Sequence, residues 1–228
     1  MKSSTRALSR LALLSTALPV ILAACGGTAD EVAAASADGT PSAPAATADS
    51  AAPVSVPRFA DAHDACFRAA AEQIGAETPV SEINSSFSAE TGELQVCTVD
   101  YQSPADPRKL VGQRLDLATG RFSDPYEIEL SVSGDAAAFR LEDYVLPLSQ
   151  VDAAALPAVI EAQKPALDGV YGRYAWTSVR LMPPGAFSDR HTLRLDLEGR
   201  LAANDVRNSG YLSVSTDGGS VVANHLLP

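Results

Sequence analysis

The chain has 228 residues, 17 of them basic and 28 acidic, and its formal net charge is −11. This length allows one domain of ordinary size or two small ones, and an apolar content of 46% is enough to form a core. The acidic excess argues against nucleic-acid binding, which needs a basic surface. Three cysteines are too few for a disulfide-dense scaffold.

Residues 1–24 have the organisation of a secretory signal. Lys2, Arg6 and Arg10 precede an apolar run over residues 11–23, and the segment contains no acidic residue. A helix that spans a bilayer needs about 20 apolar residues. The run is shorter than that, so it predicts a signal peptide that is removed on export.

The end of this run, Leu-Ala-Ala-Cys at residues 22–25 followed by two glycines, resembles the lipobox of bacterial lipoproteins. In that family a lipid is attached to the cysteine thiol and the signal is cut just before it. The resemblance implies that Cys25 anchors the mature chain in the membrane, because several acyl chains on one residue hold a protein stably. Gly26 is not the aspartate linked to inner-membrane retention, so in a Gram-negative host the family rule implies the outer membrane, facing the periplasm.

The segment from Cys25 to residue 57 is predicted to be a disordered linker. After the cysteine it contains no aromatic and no basic residue, and its prolines interrupt any Ala-rich helix. Such a composition buries too little apolar surface to offset the entropy of ordering. A flexible chain of this length would reach about 30 Å.

Residues 58–228 carry the pattern of a folded α+β region. Apolar residues predict a helix over 59–74, and alternation of apolar and polar residues over 126–133 predicts a half-buried antiparallel strand. Ser149 and Asp152 have the spacing of a capping box before a second helix. The remaining predicted strands lie at 83–88, 94–101, 110–117, 137–141, 176–182, 192–197, 211–215 and 221–225.

The two halves of this region, 58–147 and 148–228, contain similar segments in the same order. Residues 114–122 resemble 194–201, and 130–135 resemble 212–217. We interpret this as an internal repeat: a duplicated helix plus three- or four-stranded antiparallel meander, with the helices packed on one face of the sheet. In topology this resembles the tandem helix-plus-meander folds of PepSY-like domains and of the β-lactamase inhibitor protein.

Cys66 and Cys97 remain once Cys25 is assigned to the lipid. Cys66 lies on the inner face of the first helix, and Cys97 lies in a strand expected beneath that helix. In an oxidising compartment this pair predicts a disulfide. Two buried thiols and a redox pair are the alternatives, and no Cys-x-x-Cys spacing supports the second.

The sequence predicts no catalytic residue, metal site or cofactor. His63, His191 and His225 are the only histidines, and none belongs to a known metal-binding spacing. A nucleophile elbow and a Ser-x-x-Lys motif are also absent from the sequence. Neighbouring carboxylates such as Glu127 and Glu129 are more typical of a solvated strand face than of a glycosidase pair.

One cluster has the composition of a binding hot spot. Tyr171, Arg173, Tyr174 and Trp176 follow the second helix, where a loop could present them, and Tyr, Trp and Arg are enriched at interfaces. The alternative is that Trp176 packs beneath the helix.

The leading hypothesis is a lipid-anchored, non-catalytic binding or inhibitor module of the cell envelope that uses the outer sheet face or this cluster. Its partners would be the membrane, through the lipid, and another envelope protein. The alternative is an assembly or structural lipoprotein that partners a membrane protein. A third hypothesis is a hydrolase with an unrecognised site.

Overall fold

The structure is a computed structural model that describes residues 55–132, 135–185 and 188–228. The predicted signal peptide, Cys25 and all but the last three residues of the predicted linker lie outside the described residues. The helices in the described ranges are all too short or too polar to cross a membrane.

Two short helices replace the single helix predicted at the start of the folded region. They are α1 (Phe59–Ala62) and α2 (Ala65–Ile74). The chain turns between them at His63, whose Nε2 lies 3.1 Å from the carbonyl oxygen of Ala153. Helix α2 ends at Gly75, whose φ of +88° favours glycine.

Ten strands in the described residues form one antiparallel sheet. They are β1 (Pro79–Phe87), β2 (Leu94–Gln102), β3 (Leu110–Asp116), β4 (Arg121–Phe122), β5 (Tyr126–Ile128), β6 (Leu146–Pro147), β7 (Tyr171–Met182), β8 (Thr192–Leu201), β9 (Arg207–Val214) and β10 (Val221–His225). Their order across the sheet is β10-β9-β8-β7-β1-β2-β3-β4. Strand β5 pairs with β3 and β6 pairs with β1.

The centre of the sheet is the β1–β7 pair, where the first strands of the two halves meet. Four register pairs join them, from Ile83 opposite Leu181 to Ser86 opposite Ser178. Helix α2 precedes β1, and a third helix, α3 (Leu156–Asp168), precedes β7. The predicted α+β class, with a largely antiparallel sheet, is therefore confirmed.

The similar sequence segments lie on strands that do not correspond in the strand order of the two halves. Residues 114–122 run from β3 through a turn into β4, whereas residues 194–201 lie within β8. Strand β3 is the third of its half and β8 the second. Residues 130–132 belong to no strand, whereas their counterpart at 212–214 ends β9.

The strand predicted over 126–133 is only the three-residue β5. It runs antiparallel to β3 and reaches the start of that strand, where Ile128 lies opposite Leu110. The residues after β5 therefore have no strand to pair with, and Leu130 and Val132 are exposed.

Two further local predictions are wrong. Residues 136–138 form a 3₁₀ turn instead of the start of a strand, because the Asp135 carboxylate accepts a hydrogen bond from the Ala137 amide. Ser149 makes no capping bond to α3. Asp152 instead accepts a hydrogen bond from the Ala155 amide and caps the 3₁₀ turn Ala153–Ala155 that precedes the helix.

One side of the sheet and the helices share a single core. Leu156 and Leu167 of α3 and Phe67 and Ala70 of α2 are buried in it. The predicted disulfide is present between Cys66 and Cys97, whose Cα atoms are 5.4 Å apart, and it joins α2 to β2. Further core residues come from the sheet: Ile83, Val99, Val179, Leu181, Leu193, Leu195, Leu197, Leu212 and Val214.

Candidate binding surface

The opposite side of the sheet, which we call the open face, carries mainly polar side chains. Side chains alternate between the two faces of a strand, and cross-strand partners share a face. The pairings therefore place Asn84 beside Arg180, and Asp196 between Ser178 and Tyr211. The open face also includes Glu82, Ser86, Thr98, Asp100, Arg173, Arg194, Glu198, Arg200, Arg207, Ser213 and His225.

Asp196 is the centre of a hydrogen-bonded network on this face. Its Oδ2 accepts hydrogen bonds from Ser178 Oγ at 2.5 Å and from Arg180 Nη2 at 2.7 Å. Its Oδ1 accepts one from Arg194 Nε at 2.9 Å. Burial acts to raise the pKa of Asp196, but the bond from Ser178 and the two guanidinium groups hold that pKa below its ordinary value.

The same network relieves a repulsion between two arginines. Arg180 and Arg194 occupy directly opposed positions on β7 and β8, and like charges in such positions destabilise a sheet. The Asp196 carboxylate lies between them and neutralises one charge. Arg180 Nε is buried and has no hydrogen-bond partner among the described residues.

An aromatic pair extends the network toward the edge of the sheet. The Arg194 guanidinium carbon lies 3.9 Å from the centre of the Tyr211 ring, which is cation–π geometry. The Tyr211 and His225 rings are 4.8 Å apart. This arrangement holds Arg194 in place through both its charge and its planar face.

A pair of carboxylates occupies opposed positions on β1 and β2. Glu82 lies directly across from Asp100. Burial, and secondarily the negative charge of Glu82, raise the pKa of Asp100 to about 6. Burial also raises the pKa of Glu82, against the lowering effect of Arg180.

Three arginines form a third like-charged row, which we call the arginine row. Arg173 on β7 is opposite Arg200 on β8, which is opposite Arg207 on β9. Arg207 Nη2 donates to Glu198 Oε2 at 2.6 Å, and Arg200 Nη1 donates to the carbonyl oxygen of Asp205 at 2.7 Å. Within the described residues, no carboxylate is in ion-pairing distance of Arg173.

Two adjoining hollows on the open face make up what we call the trough. One, of about 520 Å³, is lined by residues of the Asp196 network and by Asn84 and Ser86. The other, of about 880 Å³, contains the arginine row. The two share Ala89, Gln95 and Glu198 in their walls, so the trough continues from the network to the row.

The predicted binding cluster lies at the start of β7, not in a loop. Tyr171 is buried, and its hydroxyl donates to the Leu226 carbonyl oxygen at 2.7 Å. Trp176 is also buried and stacks on Phe59 beneath α1. Only Arg173 and Tyr174 line the trough.

Tyr174 is tied to the end of α3. Its hydroxyl donates to Asp168 Oδ1 at 3.0 Å. Burial, with this bond and the nearby negative charges of Asp168 and Glu161, raises the pKa of Tyr174 to about 12. The Tyr174 hydroxyl therefore stays neutral and lies beside α3, on the helix side of the sheet.

Apart from Arg173 and His225, the open-face residues were not among those singled out from the sequence. Alternation over 192–201 places Arg194, Asp196, Glu198 and Arg200 on one face of a strand, and this signal is visible without a structure. What the sequence does not reveal is which strands lie beside β8.

The described ranges contain no group of three His, Cys, Asp or Glu side chains arranged to hold a metal ion. His63 lies against Ala153, His191 against the Tyr144 carbonyl oxygen, and His225 against Tyr211. The three histidines therefore lie at separate places in the fold.

Comparison with known proteins found no matching family model, no similar curated protein and no similar solved structure.

Proposed function

We propose that this protein is a lipid-anchored lipoprotein of the cell envelope and a non-catalytic binding module. The lipobox-like segment ending at Cys25 supports the anchor. The location proposed from the residue after the cysteine is the outer membrane, on its periplasmic side.

The observation that carries the binding role is the trough on the open face. Its walls carry charged and hydrogen-bonding groups held in fixed positions, as in the Asp196 network. Groups held in place before binding lose little conformational freedom when a partner arrives. The partner we propose is another envelope protein, because an open hollow that extends over several strands suits a protein surface better than a small ligand.

The anchor is tested by Cys25→Ser. This change removes the thiol that would carry the lipid, so we expect the protein to move from the membrane fraction to the soluble fraction. The measurement is fractionation of cells followed by immunoblotting. A Cys25→Ser protein that stays with the membranes would refute the anchor.

The binding surface is tested by site-specific photocrosslinking in intact cells. Gln95 is exposed and lines the trough, whereas Glu72 is exposed on α2, on the helix side. We expect a photoreactive group at position 95, and not at position 72, to crosslink a defined envelope protein. Crosslinks from position 72 alone, or equally from both positions, would contradict a partner on the open face.

We also propose that the two halves arose by duplication. The order of elements in the two halves supports this, because each half begins with a helix and continues into antiparallel strands. The first strands of the halves, β1 and β7, also lie side by side in the sheet. Duplication would then be traced by matching β1 with β7, not by the similar segments at 114–122 and 194–201.

A further inference from the structure

The arginine row places three like charges where a sheet tolerates them poorly. Neighbouring strands are about 4.8 Å apart, and like charges directly opposite each other are destabilising. Arg180 and Arg194 are opposed in the same way, but Asp196 lies between them and bonds to both. Arg173 has no such carboxylate in the described part of the chain.

The contacts of the other two arginines fix their position without saturating them. Glu198 binds Arg207, and both the backbone oxygen and the carboxylate of Asp205 bind Arg200. A guanidinium group has five N–H donors, so each arginine retains donors for a ligand. This cationic row lies in a region, residues 58–228, that has 14 basic and 24 acidic residues and a net charge of −10. The row is therefore an exception to the charge of the domain.

The length and walls of the trough indicate the form of the ligand. From Arg173 to Arg180 the chain covers about 23 Å at the rise of a β-strand, which is enough for about six or seven extended residues. Beyond the row the walls carry the charged residues Arg180, Asp196 and Glu198. They also carry neutral hydrogen-bonding groups: Asn84, Ser86, Thr177 and Ser178. Such groups can bind the amides of an extended backbone, and the buried Arg180 Nε is a donor without an acceptor in the described residues.

We propose that the trough binds an extended acidic segment of a partner protein, whose carboxylates contact the arginine row. The planar fork of arginine matches the two oxygens of a carboxylate. This inference rests on the proposed binding function and names the chemistry of its partner. It accounts for the unpaired Arg173, because the missing carboxylate is supplied by the ligand.

The test uses the full chain with Cys25→Ser and a fluorescent hexaglutamate peptide, with binding measured by anisotropy at low ionic strength. Hexaglutamine is the neutral control peptide. We expect Arg173→Gln to weaken binding of hexaglutamate by about tenfold, the effect of losing one charge-assisted contact. Arg173→Lys keeps the charge but loses the fork, so we expect an intermediate affinity.

The matched control is Arg121→Gln. Arg121 is also an exposed strand arginine, but it lies on β4, four strands from β7. Its loss should leave the affinity unchanged. Arg173 is exposed, and circular dichroism verifies that each variant is folded.

Three outcomes would overturn the inference: equal weakening by Arg173→Gln and Arg121→Gln, equal binding of the two peptides, and binding of inorganic phosphate without binding of hexaglutamate. None of these would remove a crosslink from position 95 to an envelope protein. Failure here is therefore distinguishable from failure of the proposed function.

Discussion

Asp196 shows how one side chain can organise a polar sheet face. Its carboxylate accepts hydrogen bonds from Ser178, Arg180 and Arg194. Removing its charge would leave two guanidinium groups opposed across β7 and β8 without a counter-ion between them. Loss of one member of a well-bonded charge network costs more than loss of an exposed ion pair.

We therefore expect Asp196→Asn to lower the free energy of unfolding by about 2 kcal/mol, below the cost in a fully buried pair because the network is partly exposed. Urea denaturation measures the change. Asp189→Asn is the control. The Asp189 side chain is 91% exposed and its one ion pair, with Arg190 Nε, is long at 3.5 Å, so we expect this variant to lose less than about 0.5 kcal/mol of stability. Equal losses in the two variants would show that the network contributes nothing particular to stability.

The pKa of Asp100 is shifted upward, opposite to the shift of Asp196. Its pKa of about 6 in the folded state is above the ordinary value of 3.8, so between these values the folded protein binds more protons than the unfolded chain. Stability from this group is therefore greatest below about pH 4 and is lost as the pH rises through 6. The groups facing Asp100 are Glu82 directly opposite and Arg180 through its effect on Glu82.

Asp100→Asn removes this penalty. We expect the variant to be more stable than the wild type by about 1 kcal/mol at pH 7, after allowance for partial exposure, and the difference to vanish near pH 4. Urea denaturation at both pH values measures it. A stability difference that does not depend on pH would mean that Asp100 is charged as easily in the fold as in the unfolded chain.

Among the elements, the disulfide between α2 and β2 is the covalent link of the first half. It closes a loop with a sequence separation of 31 residues. In the chain-entropy model a loop of this size contributes about 3–4 kcal/mol.

We expect reduction of this bond to lower the Tm by about 10 °C, since about 1 kcal/mol corresponds to a few degrees in a domain of this size. Scanning calorimetry with and without a reductant gives the shift, and a Cys66→Ala/Cys97→Ala variant, which should not respond to the reductant, is the control. Melting curves that coincide in the two redox states would contradict a stabilising role.

Local pattern predicted most elements that lie inside the sheet and failed at its margins. Strands such as β8 alternate because one face is buried by the helices. At residues 130–132 the same alternation has no consequence, because the chain has already passed the start of β3 at Leu110. At residues 171–175 the sequence suggested a loop, yet these residues extend β7, since β8 continues far enough to pair with them.

The arginine row was beyond sequence-based prediction for a related reason, although Arg173 itself was named from the sequence. Arg173, Arg200 and Arg207 are dispersed along the chain and meet only through the registers of β7, β8 and β9. The disulfide was predictable because both cysteines belong to neighbouring elements with clear inner faces. A row across strands requires knowledge of the strand order, which no single segment contains.

At the scale of the whole molecule, the two faces of the sheet differ sharply in composition. The face toward α2 and α3 is apolar and provides the core. The open face has three sets of opposed like charges, and within the described residues only the Arg180–Arg194 pair has a counter-ion bonded to each member. A fold that has a separate core can keep such a costly arrangement on its surface.

The central β1–β7 pair also determines the order in which this chain can fold. Ser85 Oγ donates to the Val179 carbonyl oxygen across 94 residues of sequence, whereas β1 and β2 pair through a short hairpin. Contacts between distant residues form slowly, because a long loop must close before they are made. During synthesis the first half emerges first, and the buried edge of β1 must wait for β7. The middle of the finished sheet is thus a free edge for much of the time that the chain takes to fold.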